Sequence, residues 1–160
     1  MDAVSIITAI IVVGIFMLIF ILPSMGVKRT QKKMDAKLQT LADKHQAKVS
    51  ISAILGDSII GLDEEKKILF FFRLVKDIEM SNVIQLSEIK NCKMLNQTKA
   101  TKSKNENYNQ FERIGLQFSA KDKNTLDVVL EFYNFEDNSH LNFDIKALEH
   151  WSVKLSKLLN

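Results

Sequence analysis

The sequence predicts an α+β chain: an apolar helix at the front, a basic helix behind it, then seven short antiparallel strands closed by an amphipathic helix. Three observations carry this. Ala3 to Leu22 contains no charged side chain. Between Val49 and Phe135, short apolar runs alternate with turn residues. After Asp144, apolar residues recur every three or four positions.

The first run is long enough to cross a bilayer as a helix, since about 20 residues at 1.5 Å rise match roughly 30 Å of hydrocarbon. Pro23 ends it, having no N–H to donate. Met1-Asp2 is acidic, and PSMGVKRT offers no small-residue cleavage motif, so residues 1–23 are expected to be a retained transmembrane anchor rather than a cleaved leader. No Lys or Arg precedes the run, whereas Lys28, Arg29, Lys32, Lys33 and Lys37 follow it. Basic residues stay on the cytoplasmic side. The expectation is a single-pass protein of the cell's inner (cytoplasmic) membrane, N-terminus out and C-terminal domain cytoplasmic, with the lipid bilayer as first partner. The lone Cys92 permits no disulfide within the chain and suits a reducing compartment.

Residues 24–48 read as a basic juxtamembrane stalk helix. Lys28 to Lys48 has no Gly or Pro, and Val27, Gln31, Met34, Leu38, Leu41 and His45 fall at alternating steps of four and three. So thin a seam suits a stalk lying on the head domain or the lipid interface, or a weak self-association through the stalk. Residues 23–48 carry seven Lys or Arg against Asp35 and Asp43, while residues 49–160 carry fifteen against sixteen Asp or Glu. The excess positive charge sits on the stalk and not on the body, which argues against a nucleic-acid partner.

The strands are expected over 49–55, 58–62, 67–75, 80–86, 89–98, 113–120 and 126–135. Gly56-Asp57 and Asp63 to Lys66 turn the first three, Lys76-Asp77 and Ser87-Glu88 flank the fourth, and Lys121 to Asn124 precedes the last. Lys99 to Gln110, polar except for Ala100 and Tyr108, reads as a long mobile loop. Ile145, Leu148, Trp151, Leu155 and Leu158 make a one-sided stripe on a helix over about 144–159, capped at its start by Asp144.

Strands of this number with a closing helix resemble the pleckstrin-homology-like (PH-like) superfold. The stretches GDSIIGLDEEKKILFFF with VIQLSEIKNCKM, and LDVVLEFYN leading to ALEHWSVKL, carry the likeness. They are similar to small bacterial membrane proteins with one N-terminal span and a PH-like head. The resemblance implies that residues 49–160 form a seven-stranded antiparallel PH-like barrel capped by the C-terminal helix. Family members that bind phosphoinositides place several Lys or Arg in the first hairpin loop; Leu55-Gly56-Asp57-Ser58 has none, so that activity is not expected.

No catalytic motif, metal-ligand spacing or cofactor signature is present. His45, His140 and His150 are far apart, and Asp63-Glu64-Glu65 diverge at a hairpin tip. Strand 67–75 is apolar on both sides and must be covered on both. Ile68, Phe70, Phe72 and Leu74 are assigned to the barrel interior, with Leu69 and Phe71 beneath the terminal or the stalk helix. Phe71 could alternatively belong to a partner-binding patch, and Lys99, Lys102, Lys104 and Tyr108 could meet an anionic partner. The expected function is a membrane-anchored, non-enzymatic interaction or scaffold module with a protein partner. The alternative is a membrane-tethered sensor holding a small apolar ligand or lipid in the open end of the barrel.

Overall fold

The computed structural model describes residues 29–103, 106–137 and 140–159. In chain order these form α1 (residues 29–44), β1 (Ile51–Leu55), β2 (Ser58–Asp63), β3 (Ile68–Val75), β4 (Ile78–Gln85), a 3-10 turn (Leu86–Glu88), β5 (Ile89–Ser103), β6 (Glu106–Ala120), β7 (Val128–Asn134) and α2 (Ile145–Leu159).

Two expectations are overturned. The strands do not make a single seven-stranded barrel: β1-β2-β3-β4 form one antiparallel sheet and β5-β6-β7 another. The 3-10 turn at Leu86–Glu88 breaks the extended chain between β4 and β5, so β4 ends one sheet and β7 the other. Among the described residues no helix is long and apolar enough to cross a membrane. The single-pass architecture and the inner-membrane location therefore lack support in the structure. The expected span, residues 1–23, lies outside the described residues. α1, the first helix described, carries Lys32, Lys33, Asp35 and Lys37 within two turns.

The loops set the register. Lys76 and Asp77 both take left-handed backbone (φ 49° and 65°) and close a two-residue hairpin that pairs Val75 with Ile78. The expected start of the fourth strand at Met80 therefore moves back to Ile78. At the β2–β3 turn, the Asp63 carboxylate accepts the backbone N–H groups of Lys66 and Lys48, both at 2.8 Å. Those amides, that of Lys66 foremost, hold its carboxyl below the ordinary range.

β3 is buried along both faces, and each face has its own cover. Leu69 and Phe71 point into the core between the two sheets and α2, with Leu116, Phe118, Phe132, Leu148 and Leu155. Ile68, Phe70 and Phe72 point the other way, beneath Met34, Leu38 and Ala42 of α1. The assignment of the even positions to the interior is overturned, since they lie under the stalk helix; Leu69 and Phe71 form the inter-sheet core and pack there against the terminal helix, one of the two covers expected for them. Alternation separated the faces but could not say which layer covered each.

α1 thus covers the outer face of the first sheet. Its end is fastened by a Schellman pair, Ala47 N–H to Ala42 O and Gln46 N–H to Asp43 O, both 2.9 Å, with Gln46 at φ 52°. The helix comes closest at Gly61, where an added Cβ would lie 2.7 Å from Leu38 Cδ2 and 3.0 Å from Val49 Cγ1. Gly61→Ala is expected to destabilise the chain by about 1–3 kcal/mol and to speed amide exchange in α1 ahead of the strands. Unchanged α1 exchange would show that the helix is not seated there. On the far side of the molecule, α2 buries Leu148, Trp151 and Leu155, and Asp144 Oδ1 caps it by accepting the Lys146 N–H at 3.0 Å.

Candidate functional site

A cleft opens where the two sheets part. Val83, Ile84 and Gln85 of β4, Ser87 and Glu88 of the 3-10 turn, and Ile89 of β5 form one side; Phe118 and Ala120 of β6, the turn after it, and Val128 of β7 form the other. The cleft encloses about 580 Å³, within the range usual for ligand sites. Ile84, Ile89 and Phe118 are buried at its base.

Its outer wall, the β6–β7 turn, is built by two aspartates. The Asp122 carboxylate accepts the Asn124 N–H at 3.0 Å and the Thr125 hydroxyl at 3.2 Å. The Asp127 carboxylate accepts Gln117 Nε2 at 2.8 Å and Ser119 Oγ at 3.0 Å. Lys121 ties the turn to the opposite wall, its N–H donating to Glu88 O and its Nζ to Ser87 O, both 2.8 Å. This wall carries Leu126 with 87% of its surface exposed. Leu126 opens the strand expected over 126–135, at even spacing from Val128, Leu130 and Phe132, but β7 begins only at Val128. A large apolar residue of core parity, next to a turn, was the one signal in the sequence for this rim. The partners it needs come from β4 and the 3-10 turn, which only folding brings near.

The candidate residues named from sequence do not gather here. Phe71 is 3% exposed and stands edge-on to Phe132 with ring centroids 4.9 Å apart, so it belongs to the core and offers no face to a partner. The mobile loop expected over 99–110 is in fact the distal part of the β5–β6 ribbon, with Lys99 opposite Gln110, Thr101 opposite Tyr108 and Lys102 opposite Asn107. β7 pairs with β6 only from Arg113 to Phe118, so this ribbon runs on beyond the three-stranded sheet. Backbone pairing orders a segment that has no apolar pattern. Lys104 and Lys28 lie outside the described residues. Arg29, Lys32 and Lys33 are exposed on α1. Lys33 and Lys37 reach Glu79 of β4, at 3.6 and 2.7 Å; the hydrogen bond from Lys37, above all, keeps the Glu79 carboxyl below its ordinary range. The stalk seam proposed for self-association is spent on the chain's own sheet: Met34 and Leu38 are buried there, and the His45 ring stacks at 6.0 Å from Phe70.

Among the described residues no three His, Cys, Asp or Glu side chains are grouped to hold a metal. Cys92 is buried on β5, and desolvation pushes its thiol up to about 12, where it is neutral and a poor nucleophile. Arg73 is a buried charge, 1% exposed, reaching from β3 to Glu131 of β7 at 3.1 Å and to Asp137 at 3.4 Å. The chain matches no family model, no curated protein and no solved structure.

Proposed function

We propose that the chain is a non-enzymatic interaction module that takes a segment of a partner protein at the cleft between its two sheets. The observation that carries this is Leu126. A large apolar side chain is held in water by a turn stiffened with four side-chain hydrogen bonds to Asp122 and Asp127. A free small molecule lodged at the base of the cleft would leave Leu126 wet, whereas a polypeptide lying across the rim would bury it. Apolar anchors ringed by polar groups are the usual centres of protein interfaces, and Gln85, Glu88, Lys121 and Thr125 supply such a ring.

The test places a photo-crosslinking amino acid at position 126 and, as control, at Val153, which is 54% exposed on α2. A discrete polypeptide adduct is expected from position 126 in cells and not from position 153. A crosslinker at Ser87, across the cleft, is expected to give the same adduct and to lose it when Leu126→Asp is added, with thermal stability unchanged. Equal labelling at 126 and 153, or an adduct indifferent to Leu126→Asp, overturns the reading. A small molecule in place of a polypeptide would instead make the cleft a ligand site.

A further inference from the structure

We propose a second interaction surface, the open edge of β4, and its partner is the β4 edge of a second copy of this chain. This rests on the strand itself, above all on its exposed residues 78–82; Val83, Ile84 and Gln85 at its other end also line the cleft. β4 ends the four-stranded sheet, and its other flank is unpaired among the described residues. It runs eight residues in unbroken register with β3, from Val75↔Ile78 to Ile68↔Gln85. Its sequence, IEMSNVIQ, has no proline, lysine or arginine, and residues 78–82 are all exposed. Proteins normally guard a long flat edge with lysine, proline, a bulge or a covering element, because its free N–H and C=O groups template another strand. The other edges in the described residues are managed: β1 is five residues long, β5 lies against α2, and β7 pairs through a register shift at Ile114/Gly115. β4 has none of these within the strand, and from outside it only Lys33 and Lys37 of α1 reach it, at Glu79.

The occupant follows from the order of side chains along the strand. Ile78, Met80, Asn82 and Ile84 share the face toward the second sheet, since their β3 partners are Val75, Arg73, Phe71 and Leu69. Ile78 is 64% and Met80 38% exposed on that face. A two-fold axis through Asn82 would set β4 antiparallel to its copy. Met80 then meets the copy's Ile84, and Asn82 meets the copy's Asn82, whose amides can donate and accept across the axis. On the opposite face, Ser81 meets the copy's Val83 and Glu79 meets the copy's Gln85. Glu79 is the only charged residue in the strand, so no like charges oppose. Met80 pairs with Ile84, amide with amide and carboxylate with amide, and only the small Ser81 faces an apolar residue, in the self-matching order that a closed isologous contact requires. The product is one eight-stranded sheet running through both chains.

Sedimentation of the full chain tests this. The wild type is expected at twice the chain mass. Asn82→Asp and Asn82→Lys each oppose like charges on the axis and are expected to weaken dimerisation by about tenfold or more. An equimolar mixture of the two is expected to regain the dimer. Asn82 is exposed, and circular dichroism will confirm that each variant is folded. A wild type at single-chain mass, variants that dimerise as well as the wild type, or a mixture that fails to recover would each overturn the proposal. Because Val83, Ile84 and Gln85 also line the cleft, the crosslink from position 126 is repeated in Asn82→Lys: an adduct between two copies that is lost there belongs to this edge, and an adduct with another polypeptide that persists belongs to the cleft.

Discussion

Phe71→Ala is expected to destabilise the chain by about 3–5 kcal/mol, the cost of removing a fully buried ring and leaving its cavity. Phe71 sits mid-strand on β3, 3% exposed, with the Phe132 ring edge-on at 4.9 Å and the apolar side chains of α2 closing the same core. Aromatic pairs of this geometry add to what area alone contributes. Phe71→Leu keeps most of the volume and is expected to cost no more than about 1.5 kcal/mol. The single Trp151, buried on α2 against the same core, reports unfolding in urea by its fluorescence. A small midpoint shift for Phe71→Ala, or a loss of partner crosslinking at unchanged stability, would return Phe71 to the role of contact residue.

The second large effect is asymmetric. Glu131→Ala is expected to cost about 3 kcal/mol, because it strands the Arg73 guanidinium in a dry site. Glu131 Oε1 accepts from both Arg73 Nη1 and Asn134 Nδ2 at 3.1 Å, and Arg113 Nε stands 3.6 Å from its other oxygen. Asp137 remains as a partner to Arg73 but is longer, at 3.4 Å, and closer to solvent. Arg73→Met should behave quite differently. The guanidinium is incompletely satisfied, since its Nε and the register-paired Ser58 Oγ are both buried without a hydrogen-bond partner. Glu131 and Asp137 are partly exposed and can rehydrate once the arginine is gone. Exchanging a buried ion pair for an apolar side chain of similar length is commonly neutral or stabilising, so Arg73→Met is expected within about 1 kcal/mol of the wild type. Adding Arg73→Met to Glu131→Ala should recover most of the loss, which urea unfolding of the four proteins measures directly. If Arg73→Met costs as much as Glu131→Ala, the bridge between the sheets is itself a main source of stability.

Five of the seven strands were legible to within two residues at each end, while β5 runs on to Ser103 and β6 starts already at Glu106. Turn residues punctuate period-two runs at Gly56-Asp57, Asp63 to Lys66 and Lys76-Asp77, and these punctuate the folded chain as well. The last helix was legible too, because a stripe at Leu148, Trp151 and Leu155 with Asp144 ahead of it fits one conformation well. Lys99 to Gln110 was misread. Strand order there comes from backbone pairing between β5 and β6, and backbone hydrogen bonds leave no trace in side-chain polarity. The cleft was missed for a related reason: its walls come from two separate segments, 83–89 and 118–128, and a site formed by their meeting has no local pattern.

By itself the sequence determined where the chain extends, where it coils and which side chains avoid water, because those depend on neighbours two to four positions away. Tertiary structure decided the rest. It chose which face of β3 lies under α1 and which lies between the sheets, since alternation is the same read from either side. It divided the strands into two sheets with β4 left as an open edge, since pairing depends on which strand is near and not on what it contains. It also spent the stalk seam on the chain's own sheet, where Gly61 leaves room for Leu38, a fit between surfaces that a one-dimensional pattern cannot express.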